Sequence, residues 1–183
     1  MISRAMRAAQ VQSDLFEEVE HDVSLNDEAR MLVVLVSLAE GAGVLLSGLA
    51  SGLIVGGLIG GVLIAILGVA RWYLWSYLVL LVGTRFFDGT SNLGEVSRTI
   101  AYAYVPNVVR VLGFIPVLGG LLGFIAGIWS LVLGVVAVRQ AMDFDTGKAI
   151  ATVIVAGVIA AVVIAVVGAI VLLPLGIVGS ALR

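Results

Sequence analysis

The sequence predicts an all-α, polytopic integral membrane helix bundle of about five transmembrane helices, preceded by an amphipathic, acidic N-terminal arm. Three observations carry this. Of 183 residues, 61% are hydrophobic and only 12% charged, against roughly 45–50% and about 25% in soluble domains. The apolar residues form long runs: Glu40 is the only charge from Met31 to Ala70, and there is none from Val111 to Val138 or from Ala149 to Leu182. Such runs cover a hydrocarbon core of ~30 Å, which takes about 20 helical residues. Lipid admits helices but not open strands.

Residues 1–30 form the arm. They carry Arg4, Arg7 and Arg30 beside seven of the twelve acidic residues, namely Asp14, Glu17, Glu18, Glu20, Asp22, Asp27 and Glu28. Ile2, Met6, Leu15, Phe16, Val19 and Val23 fall on helical spacing, which predicts one or two short amphipathic helices, on the membrane surface or packed under the bundle. The arm has no signal-peptide core. Ile2 stands where myristoylation needs glycine, and there is no cysteine to prenylate. The first apolar run is thus expected to insert by itself. Ser24 followed by Asp27 resembles a capping box opening the next helix.

The remaining residues, 31–183, form the membrane domain, with spans predicted at 31–51, 57–83, 100–114, 118–139 and 148–173 and an apolar tail from Pro174. Pro106 interrupts the short third span, which is expected to be kinked, tilted or partly re-entrant, with protein covering the freed backbone groups. Asp145 or Thr146 is placed to cap the fifth. With these spans, Arg4, Arg7, Arg30, Arg85, Arg98, Arg139 and Lys148 fall on one side and Arg183 on the other. The positive-inside rule makes the first side cytoplasmic. The N-terminus is then inside and the C-terminus outside.

Gly48, Gly52, Gly56 and Gly60 recur at four-residue spacing, joined by Gly57 and Gly61. They predict a turn near 52–56 running into a helix with a glycine face. Gly119, Gly123 and Gly127 form a second ladder. Small-residue ladders predict close helix packing, within the chain first and between copies of a homo-oligomer second.

Three charges fall inside the spans: Glu40, Arg71 and Arg110. Intramembrane ionisable residues are costly and face the bundle interior or water. Glu40 and Arg71 stand symmetrically about a turn near 55, which predicts an intramembrane ion pair. Structural cohesion is its first expected role and a proton or ion site its second. A third placement puts Arg71 at an interface among Trp72, Tyr73, Trp75 and Tyr77. Arg110 lacks an obvious acidic partner and is expected to reach carbonyls freed near Pro106, or a lipid headgroup.

The same composition excludes much chemistry. There is no cysteine and one histidine, which removes disulfides, thiol nucleophiles, Cys-zinc sites and His-rich metal sites. Glu18 and His21 have the Glu-x-x-His spacing of di-iron bundles, but no second such motif exists. Asp143 and Asp145 open like a calcium loop, yet Ile154 stands where the bidentate Glu belongs. No cofactor or metal is expected. A net charge of −2 argues against a nucleic-acid partner. The spans hold no set of nucleophile, base and oxyanion donor, so no enzymatic activity is expected.

Four stretches resemble the Yip family (Ypt-interacting-protein domain) of small polytopic membrane proteins. They are Asp14–Asp22; Ala101–Pro106, with Tyr102, Tyr104 and Pro106; Ile115–Gly120 with Pro116, followed by Gly127–Val132 with Trp129; and Val138–Asp143 with Arg139, followed by Thr146–Ala149 with Lys148. The resemblance is to bacterial members and implies five membrane helices with a cytoplasmic N-terminus. The arm lacks the Asp-Leu-Tyr-Gly-Pro motif of eukaryotic members, so their association with Rab-type GTPases is not carried over to this chain. The expected function is a non-enzymatic protein of a bacterial plasma membrane. It would organise or bind other membrane components through a cytoplasmic face made of the arm and residues 84–99 and 139–148. Membrane lipids and membrane proteins are its expected partners. The alternatives are an accessory subunit of a larger membrane complex, and a small transporter or channel using Glu40, Arg71 and Arg110.

Overall fold

The computed structural model describes the backbone of residues 1–181 and the side chains of residues 1–166 and 169. The arm folds into α1 (Ile2–Ala9) and α2 (Ser13–His21), then a 3-10 turn at Val23–Leu25. Asp22 holds that turn: Ser24 donates to its Oδ1 from the backbone at 2.9 Å and from the hydroxyl at 2.6 Å. The capping box read from Ser24 and Asp27 is therefore not formed. The hydroxyl is already used, and α3 (Asn26–Ala50) starts behind Leu25 without a side-chain cap.

α3 and α4 (Ile54–Phe86) form an antiparallel hairpin closed at Ser51–Leu53. Gly52 has φ +77°, a left-handed conformation that costs glycine little. The helices touch where neither carries a side chain. A Cβ on Gly57 would lie 2.8 Å from the Gly48 Cα, and one on Gly61 would lie 2.7 Å from the Gly41 carbonyl oxygen. Ser37 meets Gly68 in the same register. The ladder from Gly48 to Gly60 is thus not one face. Gly48 packs, Gly52 makes the turn, Gly60 meets Val44, and Gly56 has only the Leu53 Cβ, at 4.0 Å. The turn at Gly52 breaks the periodicity that the spacing implies.

The third predicted span differs most. α5 (Leu93–Ala103) begins inside what reads as a loop, because Asn92 and Glu95 form a reciprocal capping box. It ends before Val105, which precedes Pro106 and is biased away from α-helix. Val105–Phe114 then continues as a 3-10 helix. At ~2.0 Å rise its ten residues cover only about 20 Å. Residues 100–114 are therefore not one helical span. The 3-10 segment packs chiefly against α3 and α6, which supplies the protein cover that irregular backbone needs at membrane depth.

α6 (Leu118–Ala141) and α7 (Thr146–Ala181) complete the chain. The Asp145 side chain caps α7, accepting from the Lys148 backbone N–H at 3.0 Å. α7 continues past the predicted end at 173. Arg183, the one basic residue expected on the far side, lies outside the described residues. Among the described residues, four helices are long and apolar enough to cross a membrane: α3 with its preceding turn, α4, α6 and α7.

Burial is uneven along the bundle. Leu15, Phe16 and Val19 of the arm join Val96, Ile100 and Tyr102 of α5, Val79 and Val82 of α4, and Leu133 and Val138 of α6 in one core. Towards the hairpin tip, Leu53, Val55, Leu58, Ile59, Val62 and Ile66 are exposed, as helix faces in contact with lipid are. The arm is therefore the floor of the bundle and not a free tail. Phe16→Ala should cost about 3–5 kcal/mol and release the arm, read as faster proteolysis at residues 10–12. Unchanged protection would show that the arm packs elsewhere.

Candidate functional site

Midway along α3, Glu40 is 5% exposed, and two guanidinium groups converge on it. Arg71 donates from Nη2 to Oε2 at 2.9 Å. Arg110 places Nε 3.7 Å from Oε1, too long for a hydrogen bond. The hairpin register centres between Gly52 and Leu53, three residues before the turn assumed from sequence. The Arg71 backbone thus lies level with about Val34, some 9 Å below Glu40 along the helix axis, and its long side chain makes up the difference. Arg110 arrives from the tip side. Gly43 lets the 3-10 helix approach α3 so closely that its Cα faces the Arg110 carbonyl.

Neighbouring residues surround both arginines. The Arg71 guanidinium lies 5.7 Å from the centre of the Tyr104 ring, a cation–π contact. Asn107 donates to the Ser130 hydroxyl at 2.8 Å and ties the 3-10 helix to α6. Gly127 faces the Arg110 guanidinium. A groove of about 630 Å³ runs from Glu40, Arg71 and Arg110 along Val44, Gly120 and Phe124. A smaller cavity of about 220 Å³, bordered by Tyr104, Asn107 and Ser130, adjoins both arginines.

At the arm end a second network holds the fold. Glu28 accepts from the Tyr102 hydroxyl at 2.6 Å and from Arg4 at 3.0 Å. Glu18 accepts from Arg7 at 2.7 Å and from Arg4 at 2.9 Å, and those two partners hold its carboxyl below the ordinary range. Arg98 is 4% exposed and donates to the Val19 and Glu20 carbonyls and to Asn26. Counted from sequence as a loop charge, it is an internal strut. The Asn92-x-x-Glu95 cap was the signal that placed it on a helix. Trp129 donates to the Ala9 carbonyl at 2.8 Å, and Lys148 to the Phe87 carbonyl at 3.2 Å. Pro106 lies in the 3-10 helix, Pro116 in the turn after it, and Arg139 near the end of α6. In the second ladder, Gly119 meets Gly113, while a Cβ on Gly123 would meet nothing within 4 Å among the described residues, and Gly123 borders the groove.

Comparison with protein families gives a match to the Yip1 domain over residues 14–177. Comparison with curated proteins and with solved structures gives none.

Removing Glu40 alone, as Glu40→Leu, leaves two arginines facing apolar surroundings and should cost about 3–5 kcal/mol. Replacing Glu40, Arg71 and Arg110 together with leucine should cost much less, read from melting in detergent. Equal losses would mean that the three do not act together. Because the Glu18 carboxyl is held low, its contribution to arm docking is full above the ordinary carboxylate range and lost as pH falls through its lowered value. Proteolysis at residues 10–12 should accelerate as pH falls below the ordinary carboxylate range, and less so in Glu18→Gln.

Proposed function

The chain belongs to the Yip1 domain family, and we propose that it is a non-enzymatic membrane protein that binds or organises other membrane components through its arm-side face. One observation carries this reading: the charged groups gather at one end. Asp14, Asp27 and Arg30 are exposed there, with Arg85 and Lys148 at neighbouring helix ends. The turns at Ser51–Leu53 and Ile115–Val117 carry no charge. Electrostatic complementarity selects partners and speeds encounter, and among the described residues the arm-side face offers it. The apolar face of α2 is spent inside the core, so recognition falls to the charged surface.

By the positive-inside rule this face is cytoplasmic, and the likeness of the arm to bacterial relatives suits a bacterial plasma membrane. Single cysteines in this cysteine-free chain test the orientation. Val117→Cys should react with an impermeant reagent in intact cells, and Thr90→Cys only after lysis. The opposite pattern would invert the topology.

Deleting the arm would remove part of the core, so surface variants test the binding reading. Asp14→Lys with Asp27→Lys breaks two exposed ion pairs, so it should lower melting only slightly while abolishing recovery of the proteins that co-purify with the wild-type chain. Recovery of the same proteins in the same yield would exclude this face.

A further inference from the structure

We propose that the groove beside Glu40, Arg71 and Arg110 holds the phosphate of an anionic phospholipid, with Arg110 as its principal contact. The inference starts from charge. Two guanidinium groups and one carboxylate leave a surplus positive charge at a depth where the surrounding helices are apolar. An uncompensated charge in hydrocarbon is expensive, and such residues pair with something. Among the described residues, the Glu40 carboxylate accepts one hydrogen bond, from Arg71 Nη2. Among the described residues, Arg110 has no hydrogen-bond acceptor, and its nearest anion is Glu40 Oε1 at 3.7 Å. Arg110 is the surplus cation.

Accessibility comes next. Glu40 is 5% exposed, while the Arg71 and Arg110 side chains are 51% and 41% exposed. The carboxylate sits behind both guanidinium groups and is hydrogen-bonded to Arg71, while both arginine side chains stay about half-exposed. A phosphate matches that fork geometry, since arginine binds phosphate by paired, charge-assisted hydrogen bonds.

The walls then select among phosphates. The 630 Å³ groove is lined by Val44, Ile64 and Phe124 and by Gly113, Gly120 and Gly123. A Cβ on any of those three glycines would meet nothing within 4 Å among the described residues, so they leave space instead of filling it against a helix. Ser47 and Gly119 also line the groove, and the neighbouring faces of α3, α4 and α6 are apolar and exposed. A charge-bearing base with apolar, glycine-cleared walls accommodates an anionic head joined to acyl chains. Bare inorganic phosphate would leave those walls uncovered. A zwitterionic lipid would bring its own cation and leave the surplus charge in place.

The test uses the full chain, delipidated in detergent. Melting is followed on adding phosphatidylglycerol, phosphatidylcholine or inorganic phosphate, and bound lipid is counted by native mass spectrometry. Phosphatidylglycerol should raise the melting temperature and remain bound, and the other two should do neither. Arg110→Gln should weaken retention about tenfold, the loss of one charge-assisted contact, Arg110→Lys should restore part of it, and Arg85→Gln should leave it unchanged. Gly123→Leu fills the groove without touching the charges and should abolish retention in a protein that still folds. It keeps the test decisive if Arg110→Gln fails to fold. Equal response to phosphatidylcholine or to inorganic phosphate would overturn the assignment. So would retention of phosphatidylglycerol by Gly123→Leu.

Discussion

A lone carboxylate at the depth of Glu40 is not tolerated by hydrocarbon, and much of the bundle is arranged around its neutralisation. Arg71 reaches it from the arm side across the hairpin. Arg110 comes from the tip side on a segment that cannot be an ordinary helix. The α-helical path stops ahead of Pro106, and the tighter 3-10 path carries Arg110 past α3 at Gly43. Backbone of that kind is permitted in a membrane only when covered. α3 on one side and α6 on the other provide the cover. The glycines at 41, 48, 57 and 61 bring α3 and α4 together, which brings Arg71 within reach of the carboxylate.

The arm performs the matching task where the bundle meets water. α5 is almost wholly buried, and its position demands a floor. α1 and α2 supply it through Leu15, Phe16 and Val19, and the polar groups left over are paired in place. Arg98 satisfies the carbonyls at the end of α2, Glu28 satisfies Tyr102, and Trp129 satisfies the end of α1. The motif residues Tyr102, Tyr104, Trp129 and Lys148 thus hold elements to one another.

Much of the fold was legible in the sequence because the bilayer imposes length and polarity on its helices. The four long apolar helices, the hairpin turn and the cap at Asp145 could all be read from runs, glycines and charges. The meeting of Glu40 with Arg71 could also be anticipated, although for a turn placed three residues too late. The reach of the arginine side chain absorbs that error. What was not legible depended on tertiary context. Pro106 marks the break in the third span, but the 3-10 path that follows it, closely packed on α3, has no local signal. Arg110 had no partner within its own segment, so its approach to Glu40 was invisible. Arg98 reads as a loop charge unless Asn92 and Glu95 are taken together as the cap that starts α5. The glycine ladders looked uniform, but their members divide among a helix contact, a turn and an open groove.

The arrangement is tested most directly by a distance across it. The Glu40 carboxyl carbon can be labelled in the full chain in lipid vesicles, and its dipolar coupling measured to the guanidinium nitrogens of Arg71 and Arg110 in turn, each assigned by substitution. Coupling at contact distance to both arginines is the expected result. Coupling to Arg71 alone, or to neither, would contradict a carboxylate shared between two cations and with it the reason for the broken helix.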